Sequence, residues 1–151
     1  MKKILLIIAT FFYVGYLPIA PGTWASLATT ALVYFIRPYW QAPVYLQLVI
    51  IFVVFLLGIP AASHAEKHFK KEDPGYCVID EVVGQMISLL LIPHSIGLYA
   101  ASFFLFRFFD ILKPFPIKHL EKAPRGIGIM IDDVAAGLYS LALLHLLIYI
   151  F

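Results

Sequence analysis

The chain has 151 residues, a length that suits one domain. It is 62% hydrophobic and 13% charged, with a mean hydropathy of +0.92, against roughly 45–50% apolar and about 25% charged in soluble domains. That composition excludes an ordinary soluble domain and points to a membrane protein. A net charge of +2 is too small to argue for a nucleic-acid partner, and the single cysteine, Cys77, excludes an internal disulfide.

Met1-Lys2-Lys3 and the apolar run Ile4–Ala9 imitate a signal peptide. No small-residue cleavage site follows, because the run meets Phe11-Phe12-Tyr13, so the segment is expected to be retained. Ile4–Val14 is short of the roughly 20 residues a spanning helix needs, so it should be interfacial or a half-helix. Residues 15–22 are rich in breakers, and Thr23 is the expected N-cap of a helix over Trp24–Ile36. Arg37-Pro38 and Pro43 bracket a turn, and Val44–Ala62 is the clearest transmembrane helix.

The next stretch carries Lys67, Lys70 and Lys71 before an Asp73-Pro74-Gly75 turn. By the positive-inside rule these lysines mark a cytoplasmic face. Val82–Leu91 and Ile96–Phe106 follow, uncharged, each too short to cross the bilayer alone and split by Pro93-His94. A single kinked span would put Asp80 and Asp110 on opposite membrane faces, whereas a helical hairpin turning at Pro93 would return both to one side. The second polar stretch, with Lys113, Lys118, Lys122 and Arg125, is as basic as the first, which favours the hairpin. Pro114, Pro116 and Pro124 break that stretch, Gly126-Ile127-Gly128 should keep its end flexible, and Asp132-Asp133 should open a last apolar run, Val134–Phe151, long enough to cross. The elements add up to an all-α, polytopic membrane bundle, one embedded domain over residues 1–151, with short or re-entrant helices and an acidic site at the cytoplasmic edge.

The distribution of charge says more than its sum. All nine acids lie between Glu66 and Asp133, in three polar islands, and no charge follows Asp133. A membrane protein that gathers its carboxylates in this way is expected to build one polar site. Asp80-Glu81 is the first doublet, in the first turn of a helix starting near Val78, with Gly84 clearing space beside Asp80 and Gln85 placed to hydrogen-bond beside Glu81. Simple capping needs one acid, so two favour metal binding. Asp132-Asp133 is a second doublet, followed by the small residues Ala135, Ala136, Gly137 and Ser140, which permit close helix packing. Brought together, the doublets would offer several hard oxygen ligands, which suits Mg²⁺; scattered histidines and a lone cysteine argue against a soft metal.

Arg107, Asp110 and Lys113 recur every third residue on one broad helix face, where Arg and Lys could hold a phosphate. The plainer alternative is an Arg107–Asp110 ion pair with Lys113 reaching to the headgroups. Backbone amides around Gly22 and Thr23 could receive an anion at a helix start, or serve only as an ordinary cap. His94 and His145 are expected to pack, and Cys77 to be a small apolar filler.

In these motifs the chain resembles the phosphatidylglycerophosphatase A family. The matching stretches are Pro21–Ser26, Asp73-Pro74-Gly75 with Val78–Gln85, Phe106–Ile117 and Gly128–Gly137, which run in family order and cover nearly the whole chain. Ala25 departs from a glycine common in relatives. The resemblance implies an all-helical, Mg²⁺-dependent lipid phosphatase of the bacterial inner (cytoplasmic) membrane, converting phosphatidylglycerophosphate to phosphatidylglycerol and phosphate. On that reading Asp80, Glu81, Asp132 and Asp133 would hold Mg²⁺, and Arg107 and Lys113 would clamp the phosphate, with Gly22 and Thr23 adding backbone contacts. Asp110 would complete the metal site or act as base. The rival reading is a divalent-cation transporter whose pathway the same acids line.

Overall fold

A computed structural model describes residues 2–120 and 126–150. The basic residues Lys122 and Arg125 and the breaker Pro124 lie outside the described residues. Seven α-helices and one 3₁₀ turn make up the regular structure, with no strand among the described residues. The helices are α1 (Lys2–Ala9), α2 (Pro21–Ile36), α3 (Val44–Phe69), α4 (Ile79–Ser88), α5 (Ile96–Leu112), α6 (Ile117–Leu120) and α7 (Ile127–Ile150); the 3₁₀ turn is Val14–Tyr16.

Two helices, α3 and α7, are long and apolar enough to cross a membrane. Only 17% and 28% of their most apolar windows is buried inside the protein. Phe52, Val53, Leu56 and Leu57 of α3 are exposed, as are Leu138, Leu146 and Leu147 of α7. An outward apolar surface on such long helices suits a hydrocarbon solvent. By contrast, α4 is ten residues long and rises only about 15 Å, half of a bilayer core of about 30 Å.

The short α4 sits at the centre. It packs against α7, α2, α3 and α5, and eight of its ten residues are buried. Its N-terminal end is fastened by a hydrogen bond from the Val78 amide to the Ala9 carbonyl at the end of α1 (2.8 Å). The first core cluster joins Val78, Ile79, Val82 and Val83 to Ala61, Ala62 and Ala65 of α3 and to Met130 of α7. Cys77 is buried beside them and burial pushes its thiol up, so it acts as an inert filler, as expected.

Several boundaries differ from the sequence reading. Thr23 is the third residue of α2, not its N-cap: Pro21 occupies the first turn, where its missing N–H costs nothing, and the capping position falls to Ala20. Helix α3 carries Pro60 within it and runs on past Ala62 to Phe69, with Ala61, Ala62 and Ala65 buried on one face. Helix α7 begins at Ile127, so Asp132-Asp133 lies inside the helix rather than opening it, and Gly128 is helical. Of Gly126-Ile127-Gly128, only Gly126 stands outside the helix. Its φ of +67° and its approach to the Ser63 amide and Ile59 carbonyl (a Cβ would stand 2.7–2.8 Å from them) admit no side chain.

The chain turns back between α4 and α5, so the hairpin is the arrangement adopted: Arg107, near the end of α5, stands 3.7 Å from Glu81, at the start of α4. At the hairpin tip His94 stacks on Tyr34 (ring centroids 4.5 Å apart), and His145 bonds the Leu141 carbonyl within its own helix, so both pack as expected.

Candidate active site

Helices α4 and α7 run side by side in the same direction, in matched register. Gly84 and Gly137 form the closest crossing: a Cβ on Gly137 would meet the Gly84 carbonyl and stand 3.1 Å from its Cα, and a Cβ on Gly84 would strike Phe106 and the Asp133 carbonyl. One turn toward the N-termini, Asp80 and Asp133 face each other. About one turn the other way, Ser88 Oγ and Ser140 Oγ are 2.6 Å apart. The spacing of acid and glycine is four residues on both helices, so two glycines in contact bring two carboxylates together one turn away.

The result is a group of three carboxylates. Asp80, Glu81 and Asp133 each present an oxygen within 4.8 Å of the others. Asp80 and Asp133 are buried and Glu81 nearly so. One oxygen of each has no hydrogen-bond partner: Asp80 Oδ1, Glu81 Oε2 and Asp133 Oδ2. Burial, with the neighbouring Glu81 and Asp133 charges, holds the Asp80 carboxyl well above its usual range. Glu81 is pushed up to about 7, chiefly by burial, with the Asp110 charge adding to it and Arg107 opposing. Clustered buried carboxylates with partnerless oxygens make a hard donor set that asks for a cation, and three oxygen donors of this kind fit Mg²⁺.

Two basic side chains border the group. The Arg107 guanidinium lies 2.6 Å from Asp110 Oδ2 and 3.7 Å from Glu81 Oε1, and its buried Nε has no hydrogen-bond partner. Lys113 Nζ donates to Asp132 Oδ2 at 2.7 Å. The start of α2 closes another side: Gly22 is buried against Glu81, and a Cβ there would run into that carboxylate, with its Cδ at 2.7 Å. Thr23, next along, is half-buried. The N-termini of α2 and α4 therefore both point at the site, and their dipoles favour negative charge there.

The expected site residues thus divide. Asp80, Glu81 and Asp133 come together, with Arg107, Asp110 and Gly22 around them. Asp132 does not join the three: adjacent residues on a helix point about 100° apart, so when Asp133 faces α4, Asp132 is turned toward the end of α5, where its carboxylate meets Lys113. Arg107 and Asp110 share a face as their spacing requires, but Lys113 lies one residue past the end of α5 with φ +43°, off that face. Gln85 does not bond beside Glu81: its amide donates to Ser102 Oγ at 3.2 Å.

That bond belongs to a feature the sequence reading missed. Ser88, Ser102 and Ser140, one each from α4, α5 and α7, form a buried hydroxyl cluster, with Ser88 Oγ to Ser102 Oγ at 2.7 Å and a further bond from Ser140 to the Ser102 carbonyl. The signal was available: these serines are polar residues within otherwise apolar helical runs, and in a membrane such residues seek one another.

A family model described as Phosphatidylglycerophosphatase A matches residues 7–148. A Haemophilus influenzae protein named Phosphatidylglycerophosphatase A is 40% identical over 99% of this chain and 94% of its own length. Its Escherichia coli namesake is 34% identical over 92% of this chain and 80% of its own. A Bacteroides thetaiotaomicron protein, named provisionally as a phosphatidylinositol-3-phosphatase, is 38% identical over 91% of this chain and 89% of its own. No solved structure matches the fold. Nothing in these similarities supports a cation-transport reading. A family match running almost from end to end, spanning every carboxylate and cation of the site, means that the chain belongs to the phosphatidylglycerophosphatase A family.

Proposed function

We propose that the protein hydrolyses the terminal phosphomonoester of phosphatidylglycerophosphate, releasing phosphatidylglycerol and inorganic phosphate, at the cytoplasmic edge of the bacterial inner membrane. The observation that carries this reading is the group of three buried carboxylates with partnerless oxygens beside Arg107, in a chain of this family. The multi-pass orientation is supported by Lys67 in the last turn of α3 and by Lys70 and Lys71 just beyond it.

Asp80, Glu81 and Asp133 would hold Mg²⁺. A divalent cation bound there supplies charge neutralisation of the phosphate and lowers the pKa of nearby water. Arg107 binds phosphate oxygens through its free Nε edge, while Asp110 fixes the guanidinium plane from the other side. Lys113 adds a second positive charge, and Asp132 holds it in place. The Gly22 and Thr23 region lets α2 approach closely enough for its backbone amides to face the anion. In the reaction a water oxygen forms a bond to phosphorus, the bond from phosphorus to the glycerol oxygen breaks, and that oxygen takes a proton. The lipid tails lie along the outward apolar helices, leaving only the headgroup in the site.

The provisional name of the Bacteroides relative favours a second substrate, phosphatidylinositol 3-phosphate, which presents the same phosphomonoester at a membrane surface. Phosphate release by the purified protein from each lipid, with and without Mg²⁺, separates the two. Faster turnover of phosphatidylglycerophosphate supports the proposal. Preference for the inositol lipid overturns the substrate assignment, and full activity after exhaustive chelation overturns the metal.

A further inference from the structure

The end of the bundle remote from the carboxylates holds a cavity of about 720 Å³. It opens between α2, α3 and the end of α4, and its walls include Val33, Ile50, Met86 and Leu89. Its lining also includes the polar side chains of Arg37 and Gln47. Gly22 and Arg37 mark opposite ends of α2, so Arg37 lies about 22 Å along the helix from the acidic site.

Arg37 has an unusual setting. It is the one charged residue between Lys3 and Glu66. It is half-buried, donates to the Tyr99 hydroxyl at 3.1 Å and makes no ion pair among the described residues. A guanidinium beside an apolar cavity with only a neutral partner has donors left for an anion. Tyr39, Trp40 and Tyr45 are exposed around the same end, and these residue types gather where lipid headgroups meet hydrocarbon. A cation at headgroup level, above an apolar cavity large enough for a small-molecule ligand, matches the two halves of one amphiphile.

We propose that this cavity is a binding site for an anionic phospholipid of the leaflet opposite the acidic site, with one acyl chain in the cavity and the headgroup phosphate on Arg37. The site is separate from the proposed phosphatase reaction and does not depend on it. The ligand is recognised by a single negative phosphodiester and an acyl chain; a zwitterionic lipid fills the cavity equally but gains less from the guanidinium.

The test uses the full chain in nanodiscs of equal phosphatidylglycerol and phosphatidylethanolamine, extracted into detergent, with the retained lipid identified by native mass spectrometry. Wild type should retain the anionic lipid in preference. Arg37→Gln should lower that preference about fivefold, and Arg37→Lys should keep most of it. Leu32→Trp, from an exposed position on the cavity wall, should lower the total lipid retained. Tyr99→Phe removes the arginine's neutral partner and should leave the preference intact. Equal retention of both lipids by wild type, an anionic preference that survives Arg37→Gln, or total retention unchanged in Leu32→Trp overturns the proposal.

Discussion

Replacing Gly137 with alanine tests the link between helix crossing and chemistry. The new Cβ would meet the Gly84 carbonyl and lie 3.1 Å from both its Cα and its carbonyl carbon. These are backbone atoms of a buried helix and cannot swing aside, so α7 must move outward by about 1 Å to reach ordinary contact. Overpacking of this kind costs about 1–3 kcal/mol, and the better helix propensity of alanine returns about 0.5–1 kcal/mol. The net loss of stability should therefore be no more than about 2.5 kcal/mol. The same displacement carries Asp133 away from Asp80, and a misplacement of about 1 Å can cost about 10²-fold in rate. Activity should fall much further than stability. The assay is phosphate release alongside thermal unfolding in the same detergent, with Gly97→Ala as the control, because a Cβ there meets only Ser95 Oγ at 3.9 Å. A Gly137→Ala protein with wild-type kcat/KM, or one whose activity falls only in step with its folded fraction, refutes the reasoning.

Asp80→Asn and Asp133→Asn should each lower turnover by at least about 10²-fold while the fold survives, since each change is isosteric; helical circular dichroism beside phosphate release checks this, and near-normal turnover removes that residue from the site. Chelation should abolish activity and Mg²⁺ should restore it, and at about a hundred times its Kd the ion should stabilise wild type by about 2.7 kcal/mol; an equal thermal shift in Asp80→Asn would count against these ligands. Lys113→Met should cost about 3–5 kcal/mol by leaving buried Asp132 uncompensated, and adding Asp132→Leu should recover much of that loss in a double-mutant cycle read by unfolding. Lys118→Ala, at an exposed residue, should keep wild-type kcat/KM.

Much of this architecture is legible because the chain spends charge sparingly. The long uncharged runs announced α3 and α7, and the confinement of acids to three islands announced a single polar site. The hairpin followed from basic stretches at both ends of an interrupted apolar segment. Helix starts were harder to read, because the capping rules describe helix ends in water. Thr23 and Asp132-Asp133 look like starts by composition, yet one lies inside α2 and the other inside α7. The composition of a doublet also could not say which of its acids turns inward. Asp132 and Asp133 differ only in direction, and that is set by the Gly84–Gly137 contact, a tertiary fact. Gln85 was placed by its distance from Glu81 along the helix, but the Ser102 hydroxyl across the bundle offered its amide a better partner.

The matched descent of acid, glycine and serine along α4 and α7 has a consequence for how the pair could go wrong. A one-residue slip would keep most apolar residues in apolar company, so hydrophobic burial alone would resist it weakly. The slip would nevertheless part the Ser88 and Ser140 hydroxyls, press a side chain into the Gly84 backbone and rotate Asp133 away from Asp80. The two glycines and two serines thus act as an alignment key, fixing a sliding and a rotation that apolar contact alone would leave loose.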